Sequence, residues 1–263
     1  MIDVIILAAG QGSRMRSTKP KVLHEIGGKP MLAHVVDAAM SLADVKLHVV
    51  VGHGADAVKA ALTQPCHIVE QKEQLGTAHA VLQALPNLSP NSQVLILYAD
   101  VPLIQPETLQ RMLDAVDTQS MAVLTTHLED ATGYGRIVRN DADAVTDIVE
   151  HKDASEQQRQ ITEINTGIMC IPQAYLSQWL AKVGNNNAQQ EYYLPDVIAM
   201  AVTDGVTIHT PQPKHFYEVE GVNNRQQLAF LERKYQQQIA NSLMLAGVTL
   251  ADPARIDVRG SLT

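Results

Sequence analysis

The chain has 263 residues, 46% hydrophobic and 18% charged, enough apolar material for a substantial core and too much for wholesale disorder. A formal net charge of −8 argues against a broad nucleic-acid footprint, so a basic cluster on this background is a local device for a small anion. Cys66 and Cys170 stand far apart and outside metal-ligand spacing, which reads as buried thiols in a reducing compartment. With no basic leader and no apolar run near ~18 residues, a cytoplasmic protein without a membrane span is expected.

In chain order, "VIILA" (4–8) reads as a buried strand, "PMLAHVVDAAMSLA" (30–43) as a helix, "KLHVVV" (46–51) as a strand and "ADAVKAALT" (55–63) as a helix. "HIV" (67–69), "VLILY" (94–98) and "MAVLTT" (121–126) continue as strands, with "TAHAVLQAL" (77–85) and "PETLQRMLDAV" (106–116) as the helices between. Such alternation predicts an α/β fold of Rossmann-like type, a mostly parallel sheet covered on both faces. Ligands then collect at the carboxyl ends of the strands, which puts residues 8–21 and 98–101 on one rim.

Further on, "RIVRN" (136–140) and "AVTDIVEH" (144–151) predict a β-hairpin insertion, and "EINTGIMCI" (163–171) another strand. "AYLSQWLAKV" (174–183) and "YYLPDVIAMAV" (192–202) read as helices around a polar loop at Asn185, Asn186 and Asn187. From Asn223 to Leu245, Leu228, Leu231, Tyr235, Ile239 and Leu243 mark one face of a long helix.

The most informative stretch is "LAAGQGSRMRSTKPK" (7–21), a glycine loop rich in Arg and Lys directly after the first strand. It is not a dinucleotide fingerprint, since the third glycine position holds Met15, and "GGKP" (27–30) is not a P-loop. Exposed loop N–H groups followed by Arg14 and Lys21 suit a phosphate, and Pro20 restrains the backbone before Lys21. Alone, either cation reads as a solvated surface charge. After an apolar strand, the combination points to an anion site.

"LAAGQGSRM" with "KPKVL" resembles the motif of the sugar-nucleotide pyrophosphorylases, with Ser13 where most members have Thr. "EQLGTAHA" (73–80), "YADVPL" (98–103), "GYGRIV" (133–138), "VEHKDAS" (149–155), "EINTG" (163–167), "NNNAQQEYYLPD" (185–196) and "EVEGVNNRQQLA" (218–229) follow in order. Together they are similar to the bacterial bifunctional N-acetylglucosamine-1-phosphate uridylyltransferase/glucosamine-1-phosphate acetyltransferase family, over essentially the whole chain. The resemblance implies a uridylyltransferase domain at 1–225, a linker helix at 226–246 and, at 247–263, the first coil of a left-handed β-helix.

The implied reaction joins UTP and N-acetylglucosamine 1-phosphate into UDP-N-acetylglucosamine and pyrophosphate. Because the attacking phosphate is already ionised, the protein must chiefly neutralise charge and hold geometry. The resemblance assigns catalytic roles to Arg14, Lys21 and Asp100, and Mg²⁺ to Asp100 and Asn223. Without it, Asp100 also reads as a turn residue before Pro102 and Asn223 as a helix N-cap. Ala99 stands where the family has glycine, which is tolerable unless the backbone needs φ > 0.

On the nucleotide side the resemblance implies Leu7, Ala8, Ala9, Gly10, Gln71, Gly76 and Thr77, the Gln71 amide both donating to and accepting from uracil. Tyr98 and Ala99 join Asp100 against the substrates. On the sugar side it implies Gly135, Glu150 and Asn165, with Tyr193 a lesser candidate. The ten histidines form no ligand-spaced set. A homotrimer is expected of the full-length protein and a monomer of this chain, with no nucleic-acid or membrane partner. Rival readings are a pyrophosphorylase for another nucleotide sugar and a non-catalytic nucleotide-sugar sensor.

Overall fold

The computed structural model describes residues 1–187 and 189–260. Its strands are β1 (Ile2–Ala8), β2 (Glu25–Ile26), β3 (Lys29–Pro30), β4 (Val45–Val51), β5 (His67–Glu70), β6 (Gln93–Tyr98), β7 (Ser120–His127), β8 (Arg136–Arg139), β9 (Val145–Val149), β10 (Glu163–Pro172) and β11 (Thr207–His209). The helices are α1 (Met31–Met40), α2 (Ala55–Ala61), α3 (Thr77–Ala84), α4 (Pro106–Asp114), α5 (Glu156–Arg159), α6 (Gln173–Leu180), α7 (Val197–Thr203) and α8 (Arg225–Leu245).

Nine of the described strands form one sheet whose main path runs β11-β7-β10-β6-β1-β4-β5, with the β8–β9 hairpin attached through β10. The β6-β1-β4-β5 half is parallel throughout. β10 lies antiparallel between β6 and β7, so the sheet is mixed, although its β6-β1-β4-β5 half is parallel. Successive side chains of β1 serve opposite faces: Val4 and Ile6 pack under α1 and α4, and Ile5 packs with α3, α6 and α7. α4 shows the local logic well. Pro106 sits at the first turn, where its missing N–H costs nothing, and Thr108, Leu109, Met112 and Leu113 form the buried stripe.

A third apolar cluster joins Met15, Ile26, Met31, Leu103, Val222 and Leu231, pressing α8 onto the loop after β1. α8 begins at Asn224, whose Oδ1 accepts from the N–H groups of Gln226 and Gln227, so the N-cap is one residue past Asn223. The expected helix at 192–202 starts later: Tyr192 gives its backbone N–H to Leu75 O and accepts from Ala78 N, and helix proper begins at Val197. Cys170 is buried, its thiol pushed up to about 12 by desolvation, whereas Cys66 is only half-buried.

Residues 247–260, part of the expected β-helix coil, contain no strand. They fold back on α8, where the buried Gln236 accepts from Val258 N at 2.7 Å and donates to Val258 O at 3.0 Å. Coils of a repeat solenoid gain their strand partners from neighbouring coils, and here α8 supplies the polar contacts instead. Residues 261–263 of that segment lie outside the described residues. No helix among the described residues is long and apolar enough to cross a membrane.

Candidate active site

The carboxyl ends of β1 and β6 open onto a cleft of about 260 Å³. Leu7, Ala8, Ala9 and Gly10 form one wall, Gln71, Gly76 and Thr77 another, and Tyr98, Asp100 and Lys21 the floor. Ala99, predicted to face the substrates, is instead fully buried in the core beneath this floor. Its φ is not positive, so the methyl replacing the family's glycine carries no backbone strain. Its N–H bonds Leu7 O at 3.1 Å, fixing the two strand ends against each other.

The glycine loop returns the chain sharply. Gly12 has φ +63, and a Cβ there would lie 2.5 Å from Lys21 Cβ, so a glycine lets Lys21 fold back under the loop. Lys21 Nζ forms an ion pair with Asp100 Oδ2 and donates to Asn223 Oδ1 at 3.2 Å. Arg14, on the exposed side, donates to the same Asn223 oxygen at 3.0 Å. Thus Arg14, Lys21, Asp100 and Asn223, from three distant segments, meet at one point beside the cleft. The pairing of Val222 N with Asp100 O at 2.8 Å holds two of these segments together.

The residues expected on the sugar side, Gly135, Glu150 and Asn165, do not line that cleft but lie next to one another. Asn165 lies at a register shift in β10, receives Gly167 N on its Oδ1 at 2.9 Å and gives its own N–H to Gly135 O at 2.9 Å. Asn165 thus serves the turn through its Oδ1, with its Nδ2 group uncommitted among the described residues. Glu150 Oε1 lies 3.1 Å from the point a Cβ on Gly135 would occupy. Burial pushes the Glu150 carboxyl above its ordinary range, and the charges of Asp153 and Asp196 add to the effect. The Tyr98 hydroxyl is likewise raised by burial, then by Asp100 and Glu150. Tyr193 gives its hydroxyl to Gln189 at 2.6 Å and is pushed up to about 12 by burial and by Glu191 and Glu150. Thr77 spends its hydroxyl oxygen on Leu194 N at 3.0 Å, so it acts as a local tie as well as a cleft residue.

Several contributors escaped the sequence reading. Gln74 and Glu191 line the cleft, although both stand inside motifs already singled out. The Tyr134 hydroxyl is pushed up to about 12 by its burial and by the neighbouring Glu220 carboxylate. Arg136 is buried and holds the Tyr134 carbonyl beside Gly135. Among the described residues no set of three His, Cys, Asp or Glu side chains is placed to hold a metal.

The MobA-like NTP transferase domain matches residues 4–240. The chain belongs to that family. Within it the chain is similar to the "Bifunctional protein GlmU" of Cellvibrio japonicus, 59% identical over 264 residues, covering 100% of this chain and 58% of that protein. The protein of the same name from Pseudomonas syringae pv. syringae is 57% identical over 99% of this chain and 57% of its own length. The chain thus spans somewhat over half of these relatives. A solved UDP-glucose pyrophosphorylase with UDP-glucose superposes with a TM-score of 0.74 at 18% identity, over 90% of this chain and 100% of that one. A nucleotidyl transferase of Methanothermobacter thermautotroptrophicus gives 0.66 at 20% identity, over 90% and 99%. These two likenesses bear on the fold, and the NTP transferase family makes the chain a nucleotidyltransferase.

Proposed function

We propose that the chain transfers UMP from UTP to N-acetylglucosamine 1-phosphate, forming UDP-N-acetylglucosamine and releasing pyrophosphate. The observation that carries this reading is the meeting of Arg14, Lys21, Asp100 and Asn223 at the rim of a cleft that Gln71 also lines. A sensor that only held a nucleotide sugar would need the cleft but not this cationic and oxygen-donor cluster.

The donor set suits a divalent cation. Asp100 carboxylate and Asn223 amide oxygen are hard ligands converging on a cation already, the Lys21 ammonium. Mg²⁺ commonly takes one or two protein oxygens and completes its shell with phosphates and water. Held by Asp100 and Asn223, Mg²⁺ would supply Lewis-acid neutralisation of the triphosphate. The chain's own part is to bring Arg14 and Lys21 to the phosphates, where their charge counts most as pyrophosphate leaves. Leu7–Gly10 and Gln71 hold the base, and Gly135, Glu150 and Asn165 orient the sugar for in-line attack. Residues 1–225 form the transferase domain in this reading, and α8 continues from it.

Pyrophosphate release from UTP tests it, using a panel of sugar phosphates with and without Mg²⁺. Turnover should require N-acetylglucosamine 1-phosphate and the metal. Faster turnover with another sugar phosphate or another nucleotide would move the assignment to a different pyrophosphorylase.

Glu150 adds a pH-dependent expectation. Its carboxylate accepts from sugar hydroxyls most strongly when ionised, and burial holds its folded pKa above the ordinary carboxylate value. On acidification, KM for the sugar phosphate should therefore rise at a higher pH than an ordinary carboxylate would give. Glu150→Gln should abolish that acid limb. A group whose folded pKa is raised favours the folded state only at low pH, so at neutral pH the same variant should melt slightly higher. A pH profile of KM and a melting curve for both proteins read the two effects; an unchanged acid limb in Glu150→Gln removes Glu150 from sugar recognition.

A further inference from the structure

Gln71 is only 3% exposed, and its hydrogen bonds dictate how its amide is turned. One nitrogen, Nε2, lies 3.1 Å from the Gly76 carbonyl and 3.0 Å from His79 Nδ1. A backbone carbonyl can only accept, so the group facing it is the NH₂ and not the amide oxygen. Both its hydrogens are then consumed inside the protein, one by Gly76 O and one by the ring nitrogen. His79 Nδ1 must therefore carry a lone pair, which places the ring proton on Nε2. The half-buried Gln83, whose Nε2 lies 3.1 Å from that nitrogen and 3.2 Å from His79 O, must then turn its amide oxygen to the ring, a freedom the buried Gln71 lacks. The group left over is the Gln71 Oε1, without a protein donor among the described residues and on the wall of the nucleotide cleft. Gln71 thus presents an acceptor only, where the sequence reading expected both donor and acceptor.

We infer that His79 is a specificity-determining residue: its unprotonated Nδ1 locks the Gln71 amide so that the cleft offers an oxygen to the base. The inference rests on the reading of Gln71 as the base contact. At the position equivalent to N3, uracil carries an N–H and cytosine a lone pair. An acceptor fixed there completes a hydrogen bond with uracil and faces cytosine lone pair to lone pair. If the amide could turn over, its NH₂ would satisfy cytosine equally well. His79 holds one end of this lock from the first turn of α3, and the Gly76 carbonyl, two residues before Ala78, holds the other. His79 itself does not line the cleft, so it acts through Gln71 and not on the nucleotide.

The test is the ratio of kcat/KM for UTP over CTP, with matching nucleotide Kd values from calorimetry, in five proteins. These are the native chain, Gln71→Ala, His79→Leu, His79→Asn and the double variant Gln71→Ala/His79→Leu. His79→Leu should lower the UTP preference about tenfold, the scale of one hydrogen bond's discrimination. His79→Asn, whose side-chain oxygen can take the place of Nδ1, should keep the preference and control for folding. In the Gln71→Ala background the leucine change should have no further effect on selectivity. Native preference in His79→Leu together with lost preference in Gln71→Ala overturns the role of His79. An Asn variant as unselective as the Leu variant does so as well. Unchanged preference in Gln71→Ala instead defeats the reading of Gln71 as the base contact, and the lock with it.

Discussion

Asp100→Ala should lower kcat about a thousandfold while leaving a folded domain, the scale seen when a charge-stabilising group is lost from a preorganised site. Asp100 sits just past the end of β6, and among the described residues its side chain makes one charged contact, with Lys21. Its backbone carbonyl keeps the bond from Val222 N in any variant, so the meeting of the two segments survives. Both charged side chains retain some solvent contact, at 13% and 19% exposure, and losing the pair should cost about 1 kcal/mol of stability. Asp100→Asn should be nearly as inactive, since it keeps the shape and loses the charge. Steady-state assays over a Mg²⁺ series with parallel melting curves distinguish the outcomes. Metal-dependent activity near the native level in Asp100→Ala would remove Asp100 from the metal and the mechanism.

The second large effect is expected at Gly76. Its φ of +118 with ψ of 176 belongs to a backbone region open essentially to glycine alone. An added Cβ would also lie 2.5 Å from Tyr192 O and 2.7 Å from Tyr192 N, and backbone atoms cannot step aside as a flexible side chain does. Tyr192 is itself pinned by Leu75 O and Ala78 N at 2.8 and 2.9 Å. Gly76→Ala should therefore cost about 1–3 kcal/mol in strain and shift the cleft wall that carries the Gly76 carbonyl. The expected result is a melting temperature several degrees lower, about 2–4 °C per kcal/mol at this size, together with a higher KM for UTP. Scanning calorimetry with and without UTP reads both, and a variant that melts and binds like the native chain would contradict the close backbone approach.

Much of this was legible because the parallel half of the sheet is covered on both faces. Its strands therefore read as continuous apolar runs, and "VIILA", "KLHVVV" and "VLILY" match β1, β4 and β6 to within a residue or two. The rim location of residues 8–21 and 98–101 follows from the same rule and holds. The place of β10 was not legible. "EINTGIMCI" declares a strand, but its antiparallel insertion between β6 and β7 depends on long-range pairing that no local pattern encodes. The one-residue difference at the start of α8 is of another kind. Asn223 and Asn224 are equally good caps by composition, and only the geometry shows that Asn224 caps while Asn223 turns toward Lys21 and Arg14. Gln74, Glu191 and His79 stand in motifs the sequence reading singled out, yet their partners come from other turns or distant segments, so their roles emerge only once the chain is folded.

The pairing of His127 at the end of β7 with Glu163 at the start of β10 means that the chain leaves the sheet and re-enters it at adjacent positions. Everything between them, including Gly135 and Glu150, is a closed excursion, and Asn165 follows just after its return. The excursion is joined to the sheet through β10, with α7 packing on β9. Such an excursion can lengthen, shorten or change its side chains without reordering any strand. Arg14, Lys21, Gln71 and Asp100, by contrast, stand on loops after β1, β5 and β6 that the sheet itself holds in place. In the proposed reading, acceptor choice can therefore drift over evolutionary time, or be redesigned by exchanging residues 128–162, while the phosphate-handling edge stays as it is.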